Sequence, residues 1–114
     1  MIANLDYKIE VFIPVDFVES LQEALTAAGA GRIGNYDTCF SVSRVQGSWR
    51  PLEGAGPYAG RIGEISRIEE AKLEVSVAVD VVQAALEAIH RVHPYEEPVV
   101  NIIPLENRKF DGNA

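Results

Sequence analysis

PVDFVESLQEAL (residues 14–25) and AVDVVQAALEAI (residues 78–89) are two versions of one pattern. Val15 matches Val79, Asp16 matches Asp80, Val18 matches Val82, and Glu23, Ala24 and Leu25 match Glu87, Ala88 and Ile89, all at one constant interval. In each copy an aspartate stands three residues ahead of Glu19 or Gln83. Its carboxylate is placed to accept from the orphan amides of a first helical turn, where negative charge also suits the helix end. An apolar stripe follows at helical spacing: Phe17, Leu21, Ala24, Leu25 and Ala28 in the first copy, Val82, Ala85, Leu86 and Ile89 in the second. Helices are predicted over about 16–28 and 80–92. The glycines of AGAG (28–31) end the first one, since glycine takes the left-handed C-cap conformation at little cost.

Each copy is preceded and followed by a strand signal. Ile9, Val11, Ile13 and Val15 alternate within 7–15, and Leu73, Val75, Val77 and Val79 alternate within 71–79. A strand over 37–45 puts Cys39, Ser41, Ser43 and Val45 on one side and Phe40, Val42 and Arg44 on the other; 99–105 reads as the last strand. The order is βαβ then βαβ. That is the split βαβ, ferredoxin-like α+β arrangement, a four-stranded antiparallel sheet with two helices on one face. Residues 1–114 are expected to form one domain, with its core over about 7–105 and a polar, frayed tail over 106–114. Several residues facing away from the helices are apolar, and an uncovered sheet face of that kind predicts self-association.

Seventeen acidic and ten basic side chains give a net charge of −7. A field of that sign repels nucleic acid and anionic membranes, and neither is expected as a partner. Cys39 is the single cysteine, so no intrachain disulfide can form. The first fifteen residues lack the cationic and apolar regions of a signal peptide, and no run is long enough to span a membrane. The expected location is the cytoplasm.

Chemistry concentrates in two places. HPYEEP (93–98) holds His93, Tyr95, Glu96 and Glu97 between two prolines, with His90 just ahead. A metal site would draw on His90, His93, Glu96 and Glu97, but Pro94 disfavours helical geometry at His93 and adjacent glutamates on an extended chain point apart. The other reading is a helix-to-strand corner, with His93 as a cation beside the negative helix end and Tyr95 packed against a polar group. The second place is the loop 46–63, rich in glycine and proline, with Trp49, Arg50, Tyr58 and Arg61 as contact residues of the kind that dominate interfaces. GAGRIG (29–34) follows a helix and precedes a strand, the reverse of a phosphate-binding turn, so it reads as a turn. Cys39 sits mid-strand without a cationic neighbour and reads as a packed thiol. Glu69–Glu70 and Glu96–Glu97 are carboxylate pairs in sequence alone, one member of each expected in solvent.

GAGRIGNYDTCFSV, SWRPLEGAGPYAGRIGEISRIEEAKLEV and HPYEEPVVNIIPL, in that order, resemble the inserted domain of the NIF-three-like (YqfO group) family across about 7–105. The strand order and the HPYE element are also similar to CutA and, more distantly, PII-like signalling proteins. The resemblance implies the fold, a trimer-forming tendency, and HPYEEP as a family signature that does not ligate metal. Full-length members carry a dimetal site in flanking segments that this sequence lacks, so no metal ligand or hydrolase chemistry is carried over.

Three functional readings follow. The first is a small trimeric CutA/PII-like binding or regulatory module for a small molecule or protein, requiring no cofactor and acting through Trp49, Arg50, Tyr58, Arg61, His93, Tyr95, Glu96 and Glu97. The second is a divalent-metal-binding protein using His90 and His93 with Glu96 or Glu97. The third is an enzyme with an inter-subunit site around His93.

Overall fold

The computed structural model describes residues 6–111. Strand β1 (Asp6–Pro14) leads through a 3-10 turn (Val15–Phe17) into helix α1 (Val18–Ala28). Strands β2 (Phe40–Trp49) and β3 (Ser66–Ala78) follow, then a second 3-10 turn (Val79–Val81), helix α2 (Val82–Val92), strand β4 (Val100–Leu105) and a short helix α3 (Asn107–Asp111). The sheet is antiparallel in the order β2-β3-β1-β4, as the duplicated pattern predicts. Ile9, Val11, Ile13, Leu73 and Val75 meet Leu21, Leu25, Ala85 and Ile89 in one buried core. Each large side chain buried this way contributes about 1.5–3 kcal/mol relative to exposure.

The two copies of the repeat fold alike, but not by the predicted cap. Both aspartates lie inside the 3-10 turns, and Phe17 and Val81 occupy the cap positions of α1 and α2 without a side-chain hydrogen bond. Gly29 ends α1 in the left-handed region at φ 100°, its N–H bonding back to Leu25 and Thr26. The 29–34 segment is a turn: Gly31 donates its N–H to Ser76, and an isolated bridge joins Ile33 to Tyr36.

Strand β2 reaches Trp49, past the predicted end at Val45, so residues 46–49 belong to the sheet and the irregular loop spans 50–65. Apolar alternation stops at Val45 because the β2–β3 arm runs on beyond the core, where Gln46 and Ser48 face solvent while Glu69 and Arg67 pair with them. Arg44 and Glu69 form an ion pair across this arm.

The sheet face opposite the helices is not the bare apolar surface expected. At its centre Lys8 lies 2.8 Å from Glu74 and 3.2 Å from Glu10, with Lys72 within 4 Å of both acids. Hydrogen bonds to Glu74 and then Glu10 raise the Lys8 ammonium above its usual range, and Lys8 and then Asn101 hold the Glu10 carboxyl low. Ile68 and Ile103 share that face nearer its edges and are exposed. The tail is more ordered than predicted, because Arg108 grips the Asp6 carboxylate through Nε at 2.5 Å and Nη2 at 3.0 Å. Residues 112–114 of that predicted tail lie outside the described residues.

Candidate functional site

Helix α2 stops at Val92 because Pro94 pushes His93 into an extended conformation, φ −69° and ψ 126°. The His93 backbone still donates to Ile89, at 2.8 Å. This places the imidazole against β1 with 7% of the residue exposed. Nε2 lies 2.6 Å from the Phe12 carbonyl, which can only accept, so Nε2 carries the proton. Nδ1 accepts the Tyr95 N–H at 3.2 Å. Both bonds are met by the neutral ring. Burial lowers its pKa, and the Phe12 carbonyl and Glu70 oppose that shift without cancelling it. His93 therefore does not serve as the helix-end cation, and neither nitrogen has a lone pair left for a ligand.

Two residues on, the Tyr95 hydroxyl donates to Glu70 Oε2 at 2.7 Å. Burial, then this bond, raises the Tyr95 pKa well above the usual phenol range. Glu70 comes from β3 and is 6% exposed. Its carboxylate lies over Gly47 of β2, where a Cβ would collide with it. Glycine at 47 is what lets a glutamate lie flat across the neighbouring strand.

The loop 50–65 closes over the same corner. Trp49 Nε1 donates to the Ala59 carbonyl at 3.2 Å, and Gly63 donates to Pro51 at 2.8 Å. Gly60, at φ 93°, packs where a side chain would strike Ser66. From the corner, Glu96 accepts the Gly56 N–H at 3.1 and 3.2 Å on its two oxygens, clipping the loop tip. Tyr95 centres an aromatic group: its ring lies 5.6 Å from Trp49, 6.0 Å from Tyr58 and 5.0 Å from His93, and Phe17 meets Tyr58 edge-on at 6.3 Å.

Between loop and corner lies a cleft of about 320 Å³. Its walls are apolar at Phe12, Pro51, Leu52, Ala55, Pro57 and Val99, aromatic at Trp49, Tyr58 and Tyr95, and charged at Arg50, Glu70, Glu96 and Glu97. Six of the eight contact residues named from the sequence line it together. His93 stands behind Tyr95 as its support, and Arg61 is outside the lining. His90 is exposed on α2. No three His, Cys, Asp or Glu side chains converge as a metal set among the described residues. Sequence reasoning names Glu70 as a member of an adjacent acid pair without assigning it to the site, and it passes over Gly47. The available signal was register: once Val45 pairs with Glu70, that carboxylate faces the same side as Trp49, and Gly47 lies between them on β2.

No family model matches the chain. It is 40% identical over 101 residues to a Halalkalibacterium halodurans protein named GTP cyclohydrolase 1 type 2 homolog, covering 89% of this chain and 27% of that protein. A Bacillus subtilis protein of the same name is 39% identical over 99 residues. Among solved structures, a Bacillus cereus protein related to NIF3 superposes with a TM-score of 0.80 at 34% identity, over 94% of this chain and 27% of that one. CutA from Archaeoglobus fulgidus, described as a periplasmic divalent cation tolerance protein, superposes with a TM-score of 0.67 over 90% of this chain and 85% of its own. At 16% identity that likeness shows the fold alone. The chain spans about a quarter of the length of the curated relatives it matches. No helix among the described residues is long and apolar enough to cross a membrane.

Proposed function

We propose, from a chain that is homologous to one segment of the NIF3-related proteins and has the CutA fold, that it is a cytoplasmic binding module that assembles as a trimer. One observation carries the reading. The long loop and the HPYE corner, far apart in sequence, build one cleft from aromatic and acidic side chains, while the histidine beside it is spent on backbone hydrogen bonds. Such a cleft is built to capture: its polar side chains, Ser48, Arg50, Glu70, Glu96 and Glu97, stand around apolar and aromatic walls where they can hold a ligand. A site of this kind, apolar with a few convergent polar groups, is the usual form of a small-ligand pocket. The cyclohydrolase activity in the relatives' name is kept for those longer proteins. The trimer rests on the resemblance to CutA and on the apolar residues Ile68 and Ile103 at the margins of the open sheet face.

A fragment set of amines, carboxylates and neutral aromatics, read by backbone amide shifts, tests the cleft. Saturable shifts clustered at Trp49, Tyr58 and Tyr95 support it; shifts scattered over the surface remove it. Sedimentation equilibrium at micromolar concentration is expected to give the mass of three chains. A single compact chain under those conditions removes the trimer.

A further inference from the structure

Glu70 is the most deeply buried acid on the cleft wall, and only one of its oxygens is occupied. Oε2 accepts the Tyr95 hydroxyl. Oε1 lies over the Gly47 backbone and has no hydrogen-bond partner among the described residues. Glu70 as a residue is 6% exposed, and Oε1 is where it keeps contact with solvent, so a ligand N–H arriving there replaces water on a carboxylate already held in place. Arg50, the single basic residue on the cleft wall, makes no ion pair among the described residues. The cleft that Glu70 lines is walled also by the rings of Trp49, Tyr58 and Tyr95, whose faces attract cations and stack on guanidinium planes. Against Arg50 the wall sets three acids, Glu70, Glu96 and Glu97, and the chain as a whole carries −7, so the net field at this mouth favours a positively charged molecule over an anion.

We infer that the cleft takes a small organic cation, a primary amine or guanidinium, whose N–H donates to Glu70 Oε1 between the rings of Trp49, Tyr58 and Tyr95. The volume, about 320 Å³, suits a molecule of metabolite size. The Tyr95 hydroxyl fixes the carboxylate for it. With Oε2 held from one side and the Gly47 backbone beneath, Oε1 is presented in one orientation, so the charged hydrogen bond forms without reordering the wall. The inference rests on the binding-module reading and narrows its ligand class.

Trp49 is the chain's single tryptophan and lines the cleft, so its fluorescence reports occupancy directly. Agmatine and n-butylammonium are titrated into the intact protein beside n-pentanol and butyrate, the neutral and anionic counterparts. Both cations are expected to change Trp49 emission saturably, with pentanol and butyrate at least about tenfold weaker. Glu70→Gln keeps an acceptor for Tyr95 but removes the charge, and should weaken the cations about tenfold or more. Glu87→Gln removes the same charge from the exposed face of α2, outside the cleft, and should leave affinity within about threefold. Equal cation affinity in wild type and Glu70→Gln overturns the assignment to Glu70. If pentanol or butyrate saturates while the cations do not, the cleft is real and the cationic ligand class is wrong. Silence from all four probes removes the inference, and with a blank fragment screen removes the binding-module reading too. The wild-type series decides the ligand class even should Glu70→Gln fail to fold.

Discussion

Replacing Gly47 by alanine is expected to change sign with the residue across from it. In an ordinary strand an alanine is favoured over glycine by about 0.5–1 kcal/mol, because less backbone freedom is lost on folding. At position 47 the new Cβ falls where the Glu70 carboxylate lies. The colliding atoms are the movable end of a side chain, so the backbone stays in place and Glu70 swings away. What is lost is the charged hydrogen bond from Tyr95 at 2.7 Å, together with the burial of both groups. A hydrogen bond to a charged group contributes about 1.5–3 kcal/mol, and a buried hydroxyl left without a partner adds to the loss. Gly47→Ala should therefore destabilise the protein by about 1–3 kcal/mol in urea unfolding. In a Glu70→Ala background the same substitution should be neutral or stabilising by up to about 1 kcal/mol. The four-protein cycle, each unfolded at neutral pH with the slope checked for constancy, measures the coupling. Additive effects, with Gly47→Ala costing the same in both backgrounds, would refute the claim that glycine is there to seat Glu70.

The buried neutral imidazole gives a pH signature. The folded-state pKa of His93 is lowered, so below the ordinary imidazole value of about 6.5 the unfolded chain binds a proton that the folded chain refuses. The stability it contributes is fully present above that value and is lost as pH falls toward the folded pKa, at up to about 1.4 kcal/mol per pH unit. Unfolding free energies followed from neutral pH down to about pH 5 should show this slope in the wild type and lack it in His93→Gln; equal slopes in the two proteins refute the buried-neutral assignment. Zinc titrated into the pure protein should show no stoichiometric uptake, since His93 offers no lone pair and Glu96 is engaged by Gly56. One equivalent per chain, abolished by His90→Ala, would restore the metal reading.

The fold was legible because it is written twice. Strand, aspartate and amphipathic helix recur at a constant interval, and binary alternation over β1 and β3 marks the core face directly. The caps were misread because the aspartate-to-glutamate spacing that signals a capping box also fits a 3-10 turn carrying the acid one residue earlier. The end of β2 was missed for a different reason. Alternation reports burial, and the β2–β3 arm has little of it, so a strand held by partner hydrogen bonds alone reads as loop. At the site, the loop aromatics and the corner residues were each visible, but their convergence depends on β3 running to Ser66 and turning the loop back over β1. The sequence predicts one member of the Glu69–Glu70 pair in solvent but does not say which. Only the register reveals that Glu69 faces Arg44 and solvent while Glu70 faces the cleft.

The HPYE corner shows why a satisfied structural motif and a catalytic one look alike in sequence. Both need polar side chains at fixed spacing, because in both every donor and acceptor has an assigned partner. Here the assignments run outward in one chain of contacts. His93 bonds Phe12 of β1, the Tyr95 N–H bonds His93, the Tyr95 hydroxyl bonds Glu70 of β3, and Glu96 bonds the loop at Gly56. Three side chains within four residues, His93, Tyr95 and Glu96, thus fix two strands and the loop to one another, and the first of them is withdrawn from chemistry by doing so. The series ends at an oxygen with no protein partner among the described residues, Glu70 Oε1, on a wall that also carries the rings of Trp49, Tyr58 and Tyr95. A motif that leaves its histidine closed and its distant glutamate open directs the search for a ligand away from the signature residues and toward the strand they hold in place.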